Sequence, residues 1–184
     1  MAFIVHLGLQ LINLAELLGL IVSTYPTLAP EFAARFINPE VLRVQPWFLF
    51  GTGVMYAGAL LRAVSYLYLG EFFTYELALR KGHKLVTGGP YAIVRHPGYT
   101  AGWLFAYGGA LVHLGPDSYW FAMRWWHSTP GIIIGSLYIS WVALGTRLAL
   151  VRMPREDAIL QKAFPEQWNA WSRRTPYRLF PYIY

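Results

Sequence analysis

Long apolar runs alternate along this chain with shorter connections in which proline, glycine and basic residues collect. A hydrocarbon core of about 30 Å takes about 20 mostly apolar helical residues to cross. Four stretches approach or exceed that length, residues 2–24, 46–69, 98–114 and 131–151, the third near the short limit. Pro26, Pro30 and Pro39 break the first connection, and Gly70 to Pro97 and Gly115 to Pro130 form the others, with proline and glycine marking where helices stop. The pattern predicts an all-α, polytopic membrane helix bundle of four spans in a single domain, with segments 70–97 and 152–184 outside the membrane.

The placement of charge orients those spans. Arg80, Lys81, Lys84 and Arg95 lie in the second connection, and Arg152, Arg155, Lys162, Arg173, Arg174 and Arg178 in the tail; the first and third connections hold only Arg35, Arg43 and Arg124. With four spans the second connection and the tail share a side, and the positive-inside rule makes that side the cytosol. The net charge of +6 is thereby explained without nucleic acid, which is not an expected partner. A composition 56% hydrophobic and 13% charged agrees with a bilayer as solvent. The chain has no cysteine, which excludes disulfides, thiolate metal sites and a cysteine nucleophile, and its five histidines lack paired ligand spacing, so no metal is expected.

Within the spans, a few positions stand out. His6, Gln10, Asn13 and Glu16 follow steps of four, three and three and share one stripe of the first helix, either packed inside the bundle or lining a polar or substrate cavity. The first span is read as part of the mature chain, because it lacks the basic start of a signal peptide. Arg62 lies about two turns from the cytosolic end of the second span, where it can snorkel or serve function. Gly98 with Gly102, and Gly131 with Gly135, have the spacing that lets helices approach closely. Tyr119, Trp120, Phe121, Trp125 and Trp126 read as an aromatic belt at the opposite boundary.

Candidate chemistry concentrates in two segments. From His83 to Gly102 the chain passes Gly88-Gly89-Pro90, a tight turn, and reaches Arg95-His96-Pro97-Gly98, which marks a helix start with basic side chains beside it. Such a terminus suits an anion or carboxylate, and it equally suits a basic anchor at the membrane surface. The second segment, 152–184, begins with Arg152-Met-Pro-Arg-Glu156-Asp157 and places Leu160, Phe164, Trp168 and Trp171 on one helical face, with a break expected near Phe164 because Pro165 follows. Arg152 and Glu156 are four apart and can form a helical ion pair worth a few tenths of a kcal/mol.

Three ordered elements together resemble the isoprenylcysteine carboxyl methyltransferase family: His83-Lys84-Leu85-Val86; Gly89-Pro90-Tyr91 with Arg95-His96-Pro97-Gly98-Tyr99 and Gly102; and Arg152-x-x-x-Glu156-Asp157 with Leu160 and Phe164. The resemblance covers roughly the C-terminal 110 residues. Asp157 stands where a second glutamate is usual, Trp168 and Trp171 where tyrosines are usual, and Gly98 where serine is typical. The resemblance implies S-adenosylmethionine as cofactor, in a pocket made by Glu76, His83, Lys84, Leu85, Val86, Tyr91, His96, Pro97, Gly98, Tyr99 and Glu156. Glu76 falls at a position that commonly holds glutamine. Arg152 is implied on the substrate, as both the catalytic and the substrate-binding residue.

The expected partners are membrane lipid and a prenylated protein or peptide C-terminus entering from the bilayer. The expected location is the endoplasmic reticulum in a eukaryote or the inner membrane in a bacterium, with the active site facing the cytosol. The expected reaction is methylation of a prenylcysteine carboxylate. Methylation of a phospholipid amine or another membrane amphiphile, and an NADPH-dependent sterol-type reduction, are the alternatives.

Overall fold

A computed structural model describes residues 46–72, 84–116 and 118–184, together with residues 14, 17, 18, 21, 25, 27 and 82. Most of the first predicted span, with His6, Gln10, Asn13 and Glu16, lies outside the described residues; Leu14, Leu17, Leu18 and Ile21 are helical.

The described residues contain helices and turns and no strand. Helix α1 is Pro46–Leu69, α2 is Pro97–Leu114, α3 is the short Tyr119–Ala122, α4 is Thr129–Ala163 and α5 is Pro165–Arg174. Single 3₁₀ turns occupy Gly70–Phe72, Gly89–Ala92 and Trp125–His127. Among the described residues, two helices are long and apolar enough to cross a membrane: α1 with its 3₁₀ extension, Pro46–Phe72 over 27 residues, and α4, over 35 residues.

The predicted boundary at 46–69 is reproduced, and α2 starts one residue before the predicted 98. Helix α4 instead begins at Thr129 and continues past 151 to Ala163. The apolar run ends near Val151, but helix formation does not need apolar residues. Arg, Met, Glu, Leu, Gln, Lys and Ala dominate 152–163 and all favour helix. Pro154 deprives the carbonyl of Leu150 of its usual donor without ending the helix. The break expected near Phe164 is present, and Pro165 opens α5 at a position where its missing N–H is harmless.

The chain divides into two compact units, one made of Met1–Val54 and Tyr107–Trp141, the other of Met55–Ala106 and Val142–Tyr184. The first unit is organised by indole rings. Ser118 caps α3, its hydroxyl accepting the Phe121 N–H at 3.2 Å. Trp120, 4% exposed, stacks against Trp125 at 4.9 Å and meets Trp126 edge-on at 6.0 Å between ring centroids. A Cβ at Gly135 would stand 2.5 Å from the Trp126 ring, so the glycine makes room for an indole rather than for a second helix backbone. The aromatic belt expected here is therefore partly a buried cluster, with Trp120 at its centre.

The second unit joins the later part of α1 to α2, the charged end of α4 and the tail. At Gly58 a Cβ would stand 2.7 Å from the Ala101 carbonyl oxygen, so α1 and α2 approach backbone to backbone there. After α5 the tail runs beside the turn that leads into α2. The N–H groups of Arg95 and His96 donate to the carbonyls of Tyr177 and Arg178, each at 2.9 Å. The Thr100 hydroxyl donates to the Leu179 carbonyl at 2.7 Å. Buried Trp171 fixes α5 to the same turn by donating its indole N–H to the Tyr91 carbonyl at 2.8 Å. The first two of these bonds pair backbone donors just before α2.

Candidate active site

Glu156 and Asp157 are adjacent on α4, and successive helical residues point about 100° apart, so they meet different neighbours. Glu156 accepts the Tyr99 hydroxyl at 2.8 Å and Arg152 Nε at 2.8 Å through one oxygen, while its other oxygen lies 3.5 Å from His96 Nδ1. Asp157 is buried and accepts from Arg95 Nη1 at 2.9 Å and Arg178 Nε at 3.1 Å, and it lies 3.0 Å from His96 Nε2. His96, 6% exposed, is thus held with one ring nitrogen on each carboxylate. Burial is the largest single influence on its pKa and acts downward, but the hydrogen bonds and charges of Asp157 and Glu156 outweigh it, and the net shift is upward. An imidazolium donating from both nitrogens satisfies both carboxylates.

Around Glu156 the structure collects several residues singled out in the sequence. Tyr91, His96 and Pro97 are buried, and Gly98, Tyr99, Arg152 and Glu156 are half-buried. Burial, followed by the nearby Tyr66 and Glu156, raises the Tyr91 pKa well above the ordinary phenol value, so the ring stays protonated. Lys84, Leu85 and Val86 lie in an irregular stretch leading to the turn at Gly89–Ala92, with Lys84 exposed and Leu85 and Val86 half-buried. Gly89 takes φ of 59°, and a Cβ there would run into the Tyr68 ring, so this turn requires glycine on both counts. Glu76 and His83 lie outside the described residues.

The ion pair open to Arg152 and Glu156 from their spacing is formed. The helical pair is one edge of a larger network that includes Tyr99 and His96. Sequence reasoning missed the central role of Asp157, which it placed in the motif without assigning a partner. The alternation of cations at 95 and 178 with an acid at 157 carries no local periodicity, and only the fold brings them together. Tyr66 was also missed; it lies within electrostatic reach of both Tyr91 and Tyr99.

The donor set fits S-adenosylmethionine in kind. A carboxylate and phenols suit its cationic centres. The indole N–H groups of Trp103, one turn beyond Tyr99, and of Trp168 are buried without an acceptor among the described residues, and suit groups that accept hydrogen bonds.

Comparison with known proteins points the same way. The sequence model of the isoprenylcysteine carboxyl methyltransferase family matches residues 51–119. Protein-S-isoprenylcysteine O-methyltransferase B of Arabidopsis thaliana is 27% identical over 150 residues, 79% of this chain and 66% of the plant protein. Delta(14)-sterol reductase of Saccharomyces cerevisiae is 27% identical over 109 residues, which is 59% of this chain but 21% of the yeast protein. The resemblance to the isoprenylcysteine carboxyl methyltransferase family, drawn above from three motifs, is borne out. The matched region falls just short of two thirds of the plant relative's length, and covers about a fifth of the yeast one.

Proposed function

We propose that this chain is an integral membrane methyltransferase that uses S-adenosylmethionine to methylate the C-terminal carboxylate of a prenylated cysteine. The observation that carries the reading is the convergence on Glu156 of Tyr99, His96 and Arg152, which come from two of the three family-like motifs, Tyr99 and His96 standing 57 and 60 residues before Glu156 in the chain. In this reading the chain is the four-span bundle set out above. Helix α4 supports it in length: 35 residues extend about 52 Å at 1.5 Å per residue, enough for its apolar part to cross a bilayer while Arg152 to Ala163 project beyond.

When bound, S-adenosylmethionine supplies an electrophilic methyl group on a sulfonium, and an acceptor carboxylate, already ionised at neutral pH, needs no general base. The work left to the protein is positioning and exclusion of water. Glu156 would hold a cationic part of the cofactor. Tyr91 and Tyr99 bound the pocket beside it, with Lys84, Leu85, Val86, Pro97 and Gly98 completing it, and Glu76 and His83 are assigned to it on resemblance alone. His96 acts through Glu156, whose orientation it fixes together with Arg152. Arg152, reserved on resemblance for the acceptor, already pairs with Glu156, so its first task is to hold that carboxylate in place and its second to face the acceptor.

The test is methyl transfer from tritiated S-adenosylmethionine to N-acetyl-S-farnesylcysteine by the purified chain in lipid. Labelled methyl ester is expected, and its absence under saturating cofactor would overturn the reading. The yeast reductase match favours a second reading, reduction with NADPH, and binding of NADPH in place of S-adenosylmethionine would support it. The proposed topology is tested separately in this cysteine-free chain: single cysteines at positions 81 and 173 should resist labelling from outside sealed cells.

A further inference from the structure

Helix α4 carries its charges on two sides. Its acidic residues, Glu156 and Asp157, belong with Arg152 to the candidate site, whereas its other basic residues, Arg147, Arg155 and Lys162, are exposed. These three share a stripe with Leu144, Val151 and Ala158, also exposed. Steps of three, four, four, three and four hold the six within about 80° at 100° per residue. From Val142 onward the buried residues of α4 are Val142, Ala149, Met153 and Asp157, on a second stripe centred about 160° away. The packed side of the helix and its unpaired cations thus face opposite ways.

No hydrogen bond, ion pair or ring contact holds Arg147, Arg155 or Lys162 among the described residues. Arg147 is moreover inside the apolar run, about 6 Å along the axis before Val151. A guanidinium there without a protein partner has to extend to the interface. That interface is marked at Leu150, whose carbonyl loses its helical donor to Pro154; such a carbonyl belongs where headgroups and water can supply one. Arg155 stands about 6 Å beyond Val151 on the same stripe, and helical side chains lean toward the N-terminus of their helix, here back toward the apolar run. The two guanidiniums therefore approach one level from either side, that of the headgroup phosphates.

We infer that this outer stripe of α4 binds the headgroups of anionic phospholipids, with Arg147 and Arg155 on the phosphate and Lys162 adding attraction from farther out. Charge selects the class of lipid. A zwitterionic headgroup brings a cation of its own, and the stripe has no carboxylate to receive it. Guanidinium groups suit phosphate, which offers them several acceptor oxygens. Glu156 and Asp157 directly follow Arg155 in the chain, so a lipid held on the stripe fixes the depth at which the candidate site meets the membrane surface. The inference rests on the membrane part of the reading above and not on its chemistry.

The chain has no cysteine, so a single one can carry a reporter. A bimane fluorophore is attached at Val151→Cys, between Arg147 and Arg155 on the stripe, in the purified full chain reconstituted in phosphatidylcholine vesicles. Its quenching is compared between phosphatidylglycerol and phosphatidylcholine, each carrying a nitroxide on the acyl chain near the headgroup and added at equal low mole fraction. A preference for phosphatidylglycerol of about twentyfold is expected, from about fivefold for each cation at the interface. Arg147→Gln and Arg155→Gln should each lower it about fivefold, and Arg147→Lys should keep most of it. Lys162→Gln, about 10 Å beyond Arg155 and near the limit of screening, should change it less than twofold. Circular dichroism checks that each variant keeps its helix content, and the exposed Arg155, outside the apolar run, gives a variant that does not disturb the span. The same label at Leu137→Cys, toward the other end of α4, should be quenched alike by both lipids. Equal quenching at Val151→Cys, a preference that survives loss of both arginines, or a label there that neither lipid reaches because protein covers the stripe, overturns the inference. No cofactor or turnover enters the measurement. A chain that fails to methylate can still show the preference, and methylation by a chain without it sinks the lipid assignment alone.

Discussion

The two compact units reach order by opposite means. In one, Trp120, Trp125 and Trp126 pack on one another and into the clearing at Gly135, so position is fixed by shape. In the other, Asp157 gathers Arg95, His96 and Arg178, and Glu156 gathers Arg152, Tyr99 and His96, so position is fixed by charge and hydrogen bonds. Shape tolerates loss of a charge anywhere else, and a charge network tolerates a change of volume anywhere else. Each region should therefore fail under the substitution the other would survive, and the ionic one is where a polar cofactor can be received without desolvating a tightly packed wall.

The largest expected effect is at Asp157. Asp157→Asn preserves volume but leaves Arg95 and His96 buried beside a neutral amide, and Arg178 loses its anchor. Removing one partner of a buried ion pair typically costs about 3–5 kcal/mol. The variant should lose that much stability against SDS-induced unfolding in mixed micelles, and a loss under about 1 kcal/mol, the range of exposed pairs, would show that Asp157 is solvated rather than a hub. The converse probe is Gly135→Ala, which sets a methyl group against the Trp126 ring. Overpacking there should cost about 1–3 kcal/mol while leaving cofactor affinity unchanged. An altered affinity in that variant would mean that packing at Gly135 bears on the candidate site.

A smaller effect separates Glu156 from its helical partner. Glu156→Gln should weaken S-adenosylmethionine binding about tenfold by calorimetry, the value of a lost charge-assisted contact, whereas Arg152→Ala, with Glu156 still held by Tyr99 and His96, should retain binding within about threefold and lose methyl transfer through loss of the cation that faces the acceptor. Equal and mild defects in both would reduce Arg152 and Glu156 to a surface pair.

What the sequence made legible follows from what is local. Pro46 and Gly70 bound α1, Pro97 opens α2, and Pro165 separates α4 from α5, because each boundary is enforced by the residue that occupies it. Arg95, His96, Tyr99, Arg152 and Glu156 were legible as candidates because they fall in short motifs. Illegible were the contacts that depend on chain return: Arg95 and His96 meet Asp157 across 62 and 61 residues, and Arg62 meets Gly98 across 36. The tail from 175 to 179 has no periodicity, yet its carbonyls accept the N–H groups of Arg95 and His96. The reading of Trp120 as a belt residue went astray because an indole suits both a membrane boundary and a core, and only the neighbouring Gly135 decides between them.

The least of the expected effects concerns pH, and it tests whether the ionic region works with His96 charged. His96 lies between Asp157 and Glu156, and its pKa in the folded chain is raised above the ordinary value of 6.5. A group whose folded pKa is raised binds its proton more tightly when folded, so the stability it contributes is fully present below about 6.5 and is lost as pH rises through the higher folded value. The two carboxylates remain ionised throughout that range and contribute no slope of their own. Unfolding measured from pH 6 upward should thus show stability declining with pH, and His96→Gln, which keeps a donor but cannot titrate, should remove that decline while lowering stability at pH 6. Asp157→Asn should flatten the same profile by withdrawing one of the two charges that hold the proton, whereas Gly135→Ala should leave the slope intact. A wild-type profile that is flat, or that rises over this range, would mean that His96 is neutral in the folded chain and that one of its ring nitrogens donates to a single carboxylate only.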